Sequence, residues 1–143
     1  MKDFIRKVNY HETDKMGITH HSNYIKFMEE ARTDFLDKLG FGYASLERDG
    51  VVSPVIAVEG EYKRSTTFDD EIKIHVFVEE FKGVRLTIGY VMTNNKSGET
   101  VLTGRTKHCF LDESGKPIIL KKRFPEFDKA LKDEMNKTKE TQK

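Results

Sequence analysis

The sequence predicts an α+β fold, in which an antiparallel sheet of five strands carries one long helix across a face. Two observations lead there. Apolar residues recur at three- and four-residue steps over residues 24–39, and at two-residue steps in several segments after residue 51. The order is also informative: one strand, a long helix, then four consecutive strands joined by turns, which need no helical crossovers and so favour antiparallel pairing.

Residues 3–10 alternate loosely, with Phe4, Arg6, Val8 and Tyr10 opposite Ile5, Lys7 and Asn9, and are predicted to form the first strand. In the helix that follows, Tyr24, Met28, Ala31, Phe35 and Leu39 form the apolar stripe, widened by Ile25, Phe27 and Leu36. Lys26, Glu29, Glu30, Asp34, Asp37 and Lys38 fill most of the remaining face, with Glu29 and Arg32 spaced to pair on it. Ser22 or Asn23 is placed to cap its start, although neither has Glu or Gln three residues later. Gly40 stops it. About 17 residues at 1.5 Å each span roughly 25 Å.

Residues 41–48 suit a short second helix between glycines. Residues 51–64 read as an extended strand, with Pro54 near its start and Gly60 marking a bulge or close backbone contact. Ile72, Ile74, Val76 and Val78 line one face of the next strand, and Val84, Leu86, Ile88, Tyr90 and Met92 repeat the pattern after the Lys82–Gly83 turn. Residues 100–111 make the fifth strand, and Phe124, Phe127, Leu131 and Met135 mark a weakly amphipathic helix whose end, after about residue 136, is expected to fray.

Residues 1–143 show no internal repeat and no linker long enough to divide them, so a single domain is expected. The 25 basic and 24 acidic side chains leave a net charge of +1, against any bulk electrostatic preference for nucleic acid or membrane. A lone cysteine, Cys109, suits a reducing compartment. Residues 1–10 hold no apolar run of the kind a signal peptide needs, and no segment has the length of a membrane span; a cytoplasmic protein is expected.

The chemistry gathers just before the long helix. His11, Glu12, Asp14, His20 and His21 lie close together in sequence around Gly17. A carboxylate can activate water or attack a carbonyl itself, and N–H groups at a helix start, near His21 to Asn23, suit an oxygen that gains negative charge. Asp14 before a glycine turn also suits a purely structural cap. His21 either orients a reacting group or bonds a nearby carbonyl; Tyr10 either donates its hydroxyl to Asp14 or is a buried aromatic at a strand end. All five are metal-ligand types, but no pair has helical i, i+4 spacing, and no metal is expected.

The run Asp14-x-Met16-Gly17-x-x-His20-His21-x-x-Tyr24, closed by Glu29-x-x-Arg32, resembles the acyl-CoA thioesterases of the 4-hydroxybenzoyl-CoA thioesterase type, which have the hotdog fold. The likeness continues through Pro54-Val55, Tyr62-x-x-Ser65 with Phe68-Asp69-Asp70, and His108-Cys109-Phe110, although many relatives carry a proline near Ser65–Thr66 and this chain does not. The resemblance implies a sheet wrapped around the long helix, a homodimer or homotetramer, and an interfacial site that hydrolyses acyl-CoA to a free acid and CoA without a cofactor. It makes Asp14 the essential carboxylate, base or nucleophile, with His21 and Tyr10 in support. Gly17, Ser22, Asn23 and Tyr24 are then expected beside the substrate, and Arg64, Lys121 and Lys122 at the CoA phosphates. An acyl-carrier-protein thioesterase and a non-catalytic acyl-CoA-binding module are the alternatives.

Overall fold

The structure, a computed structural model, describes residues 1–141. Five strands, β1 (Phe4–Lys7), β2 (Val55–Tyr62), β3 (Glu71–Phe81), β4 (Arg85–Asn94) and β5 (Thr100–Cys109), form one sheet in the order β1-β3-β4-β5-β2. The sheet is antiparallel, as the order of elements implied, and β1 meets β3 with Phe4 opposite Ile74 and Arg6 opposite Ile72. The helices are α1 (Asn23–Leu39), α2 (Tyr43–Arg48), α3 (Leu120–Arg123) and α4 (Pro125–Thr141). Strands and helices thus combine in the expected α+β arrangement. No helix among the described residues is long and apolar enough to cross a membrane.

The chain clusters into two compact units. The first comprises residues 1–35, 60–76 and 90–104. In it the stripe of α1, Tyr24, Phe27, Met28, Ala31 and Phe35, is buried, and so are Ile72, Ile74, Tyr90, Met92 and Leu102 from the strands. Ile25 departs from the stripe and is half exposed. Arg32, expected to pair along the helix surface, is buried and donates to the Tyr90 hydroxyl at 3.0 Å. Gly60 needs no special backbone, since a Cβ there would make only ordinary contacts with Met28 and Leu102.

The first strand is shorter than the alternation suggested. The Val8 N–H still donates to the Asp70 carbonyl, but the chain then enters a 3-10 turn at Tyr10–Glu12. Glu12 is the cause: its Oε1 accepts the Asn9 N–H at 2.8 Å, and both its oxygens take Arg6 N–H groups at 2.7 Å. Arg6 also donates to Glu30 on α1 at 2.7 Å, and its guanidinium lies 4.6 Å from the centre of the Phe27 ring. Strand, loop and helix are locked by this network.

The second unit holds residues 36–59, 77–89 and the chain from Arg105 on. Gly40 ends α1 in the left-handed region at φ 93°, and the Phe41 N–H reaches back to the Leu36 carbonyl. Phe41 stacks on Phe127 of α4 at 5.0 Å, and Phe110 and Phe124 meet Phe127 edge-on. Pro125 opens α4, where its missing N–H costs nothing. The helix continues to Thr141, past the point where fraying was expected; residues 142 and 143 of that tail lie outside the described residues.

β2 is the exception to half-burial. It begins at Val55 rather than residue 51, and all eight of its residues are exposed, among them Val55, Ile56, Val58 and Tyr62.

Candidate active site

Residues 13–19 form a small hairpin within the first unit. Thr13 and Thr19 face each other in an isolated antiparallel bridge, and the Asp14 N–H donates to the Ile18 carbonyl at 2.9 Å. Gly17 lets the turn close at φ 78°, with its N–H on the Asp14 carbonyl. Asp14 Oδ1 accepts the Met16 N–H at 2.8 Å, which orients the carboxylate from within its own turn. Among the described residues, no hydrogen bond occupies Oδ2.

The hairpin forms one wall of a cleft of about 260 Å³. Asp14, Met16, Ile18 and Thr19 line it from the hairpin, His21 and Tyr24 from the start of α1, and Tyr62, Lys63, Arg64 and Ser65 from the end of β2 and the turn after it. The first turn of α1 uses most of its donors internally. The Ser22 N–H reaches His20 Nδ1 at 3.3 Å, the Asn23 N–H takes the His20 carbonyl at 3.0 Å, and the Tyr24 N–H takes the His21 carbonyl at 3.2 Å. The His21 N–H makes no hydrogen bond among the described residues. Of the donors expected near residues 21–23, this one is left for a ligand. The His21 ring lies exposed, tilted by 31° against the His20 ring with centroids 4.2 Å apart, and edge-on to Tyr62.

Beneath the cleft lies a buried hydroxyl cluster. Tyr24 Oη is 2.8 Å from Thr66 Oγ1, which is 2.6 Å from Thr19 Oγ1. Burial pushes the Tyr24 phenol above its ordinary pKa, against the opposing hydrogen bond at Thr66, so the group stays protonated. At the rim, Lys63 pairs with Glu61 at 2.7 Å and Arg64 with Glu99 at 3.1 Å, so each cation already has an exposed acidic partner.

The predicted site residues divide accordingly. Asp14, His21, Tyr24 and Arg64 line one cleft. Gly17 and Asn23 act from behind it, Gly17 through its turn and Asn23 through an Nδ2 donation to the Glu12 carbonyl at 2.9 Å rather than a cap. Ser22 is exposed, with Oγ 2.9 Å from His20 Nδ1. Tyr10 is neither a buried aromatic nor a lining residue: it is 76% exposed, edge-on to Phe68, because the 3-10 turn swings it outward. Lys121 and Lys122 are exposed on α3 in the second unit and are not among the lining residues. Sequence reasoning missed Thr19 and Thr66, which carry no periodic or motif signal. Among the described residues, no three His, Cys, Asp or Glu side chains gather as a metal site would require.

Known proteins share this framework. The solved structure of a DHNA-CoA thioesterase from Staphylococcus aureus superposes with a TM-score of 0.91 at 35% identity, covering 98% of this chain and 94% of that one. The Bacillus subtilis protein named "Putative acyl-CoA thioesterase YneP" is 37% identical over 125 residues, 87% of this chain and 90% of its own length. The acyl-CoA thioester hydrolase YbgC of Escherichia coli O157:H7 is 28% identical over 88 residues, 62% of this chain and 66% of its own. The family model of the thioesterase-like superfamily matches residues 8–135, which takes in the hairpin, the long helix and all four later strands; the chain belongs to that superfamily.

Proposed function

We propose that this protein hydrolyses an acyl-CoA thioester to a free carboxylic acid and CoA, within the 4-hydroxybenzoyl-CoA thioesterase type that the residue 14–32 motif resembles. One observation carries the proposal: Asp14, whose Oδ2 is unbonded, and His21, whose N–H is unbonded, line the same cleft. Thioester hydrolysis needs this combination. A nucleophile, either Asp14 Oδ2 or a water deprotonated by it, adds to the carbonyl carbon, and the carbonyl oxygen becomes an oxyanion that takes the His21 N–H. The start of α1 adds the favourable end of its dipole. The tetrahedral intermediate then collapses and expels the CoA thiolate. If Asp14 attacks directly, water must next cleave the resulting anhydride.

The acyl-CoA substrates in the relatives' names support the thioester, and Lys63 and Arg64 at the rim supply cations for the CoA phosphates by exchanging partners. The exposed apolar residues of β2, an edge strand, support a homodimer or a larger homo-oligomer that covers them. The lone Cys109, which suits a reducing compartment, supports a cytoplasmic location, and the absence of repeats and of a dividing linker supports a single domain.

The test is free-thiol release from a panel of aromatic, short-chain and long-chain acyl-CoA substrates, with parent and Asp14→Asn side by side. Turnover by the parent and its loss in the variant are expected. An inert parent, or a folded Asp14→Asn protein that hydrolyses at the parent rate, would refute the mechanism.

A further inference from the structure

Thr66 is fully buried, at 0% exposure, yet it carries a hydroxyl. Its position is unusual in what it joins. The Thr66 carbonyl accepts the Thr19 N–H at 2.8 Å and the Thr19 hydroxyl at 3.2 Å, while its own hydroxyl touches Thr19 Oγ1 at 2.6 Å and Tyr24 Oη at 2.8 Å. Thr19 is the return limb of the hairpin that holds Asp14. Tyr24 is in the first turn of α1, three residues after the His21 N–H.

The Thr66 carbonyl takes the Thr19 N–H and lies within reach of the Thr19 hydroxyl. Across the Thr66–Thr19 and Thr66–Tyr24 contacts either oxygen can donate, so the three hydroxyls form one continuous chain whichever way its hydrogens run. Thr66 Oγ1 is the middle of that chain and joins the hairpin to the first turn of α1, while Thr66 itself is not among the residues that line the cleft.

We propose that, given hydrolysis at Asp14 as described above, Thr66 is a positioning residue: its hydroxyl sets the Asp14 hairpin against the start of α1, and so fixes the carboxylate relative to the His21 N–H. The Glu12 carbonyl, which accepts from His20 N–H and Asn23 Nδ2, ties the same two segments farther from the hairpin tip, so the fold survives without Thr66 Oγ1 while the reacting geometry does not.

Thr66→Val keeps the volume and removes the hydroxyl; Thr66→Ser keeps the hydroxyl. On the acyl-CoA that the parent turns over fastest, Thr66→Val should lower kcat by about tenfold, roughly what one buried hydrogen bond can contribute, with KM little changed, and Thr66→Ser should restore kcat. Amide hydrogen exchange gives a readout that needs no substrate. The Met16 N–H, held by the Asp14 carboxylate, should exchange faster in Thr66→Val than in the parent, whereas α4 amides should not change. Parent-like kcat in Thr66→Val, no rescue by serine, or unaltered exchange at Met16 would each overturn the assignment. Asp14→Asn keeps the two proposals separate. If it is inactive while Thr66→Val matches the parent, only the role of Thr66 fails; if it is fully active, the hydrolase mechanism itself fails, and the exchange result still decides whether Thr66 holds the hairpin.

Discussion

Glu12 and Asp14 are two carboxylates two positions apart in the same loop, and they are treated in opposite ways. Glu12 is buried, with both oxygens on Arg6 and one also on the Asn9 N–H. Burial alone would raise its pKa, but the Arg6 guanidinium and the Asn9 N–H outweigh that and hold the carboxyl below its ordinary 4.5. Asp14 is only half-buried, uses one oxygen to brace its own turn and faces the cleft. The difference separates scaffold from chemistry. A carboxylate saturated by partners is stabilised and inert, whereas one that is oriented but incompletely bonded can still accept a proton or form a bond.

The contrast breaks most sharply in Asp14→Asn, where kcat should fall by at least the ~10²-fold expected from losing a general base, while the melting temperature stays near the parent value. Glu12→Gln should do the reverse. Arg6 keeps Glu30 but loses its buried partner, so chemical denaturation should show a loss of roughly 3–5 kcal/mol, with hydrolysis per folded molecule largely retained. The pH dependence has a defined sign. Because the folded carboxyl of Glu12 sits below its unfolded value, its contribution is complete above about pH 4.5 and lost as pH falls through the depressed folded value. Melting curves on the acid side should therefore be shallower in pH for Glu12→Gln than for the parent.

Smaller effects sharpen the same division. His21→Ala keeps the backbone donor and removes only the exposed ring, so kcat should drop by well under the ~10²-fold lost with a general base; a loss as large as that of Asp14→Asn would move the chemistry to the imidazole. Arg64→Glu should raise KM for acyl-CoA a few-fold, about what an exposed charge pair contributes, and the gap from the parent should close as salt is added. Steady-state kinetics at two ionic strengths would check it.

Much of this was legible from local pattern. The stripe from Tyr24 to Leu36 defined α1, alternation defined β3 and β4, and an Asp followed by Gly at a three-residue step marked the turn that orients Asp14. Two of the failures share a cause, which is pairing across sequence distance. Arg6 meets Glu30 across 24 residues and Thr19 meets Thr66 across 47, and neither partner leaves a mark in its own neighbourhood. Tyr10 continued the strand alternation on paper, but the Glu12–Asn9 bond turns the chain before it. Residues 51–64 were readable as an extended strand, but nothing in their pattern marked that all eight residues of β2 would be exposed among the described residues.

That uncovered edge also bears on how abundance governs stability. Val55, Ile56 and Val58 stand on a strand with a free hydrogen-bonding side, and any association that buries them follows mass action. Dilution would return them to water, lowering the melting temperature and exposing a surface prone to adhere to other chains. Melting temperature would then rise with concentration before levelling off, so the cell's dose of this protein would set how firmly each copy is folded as well as how many copies there are.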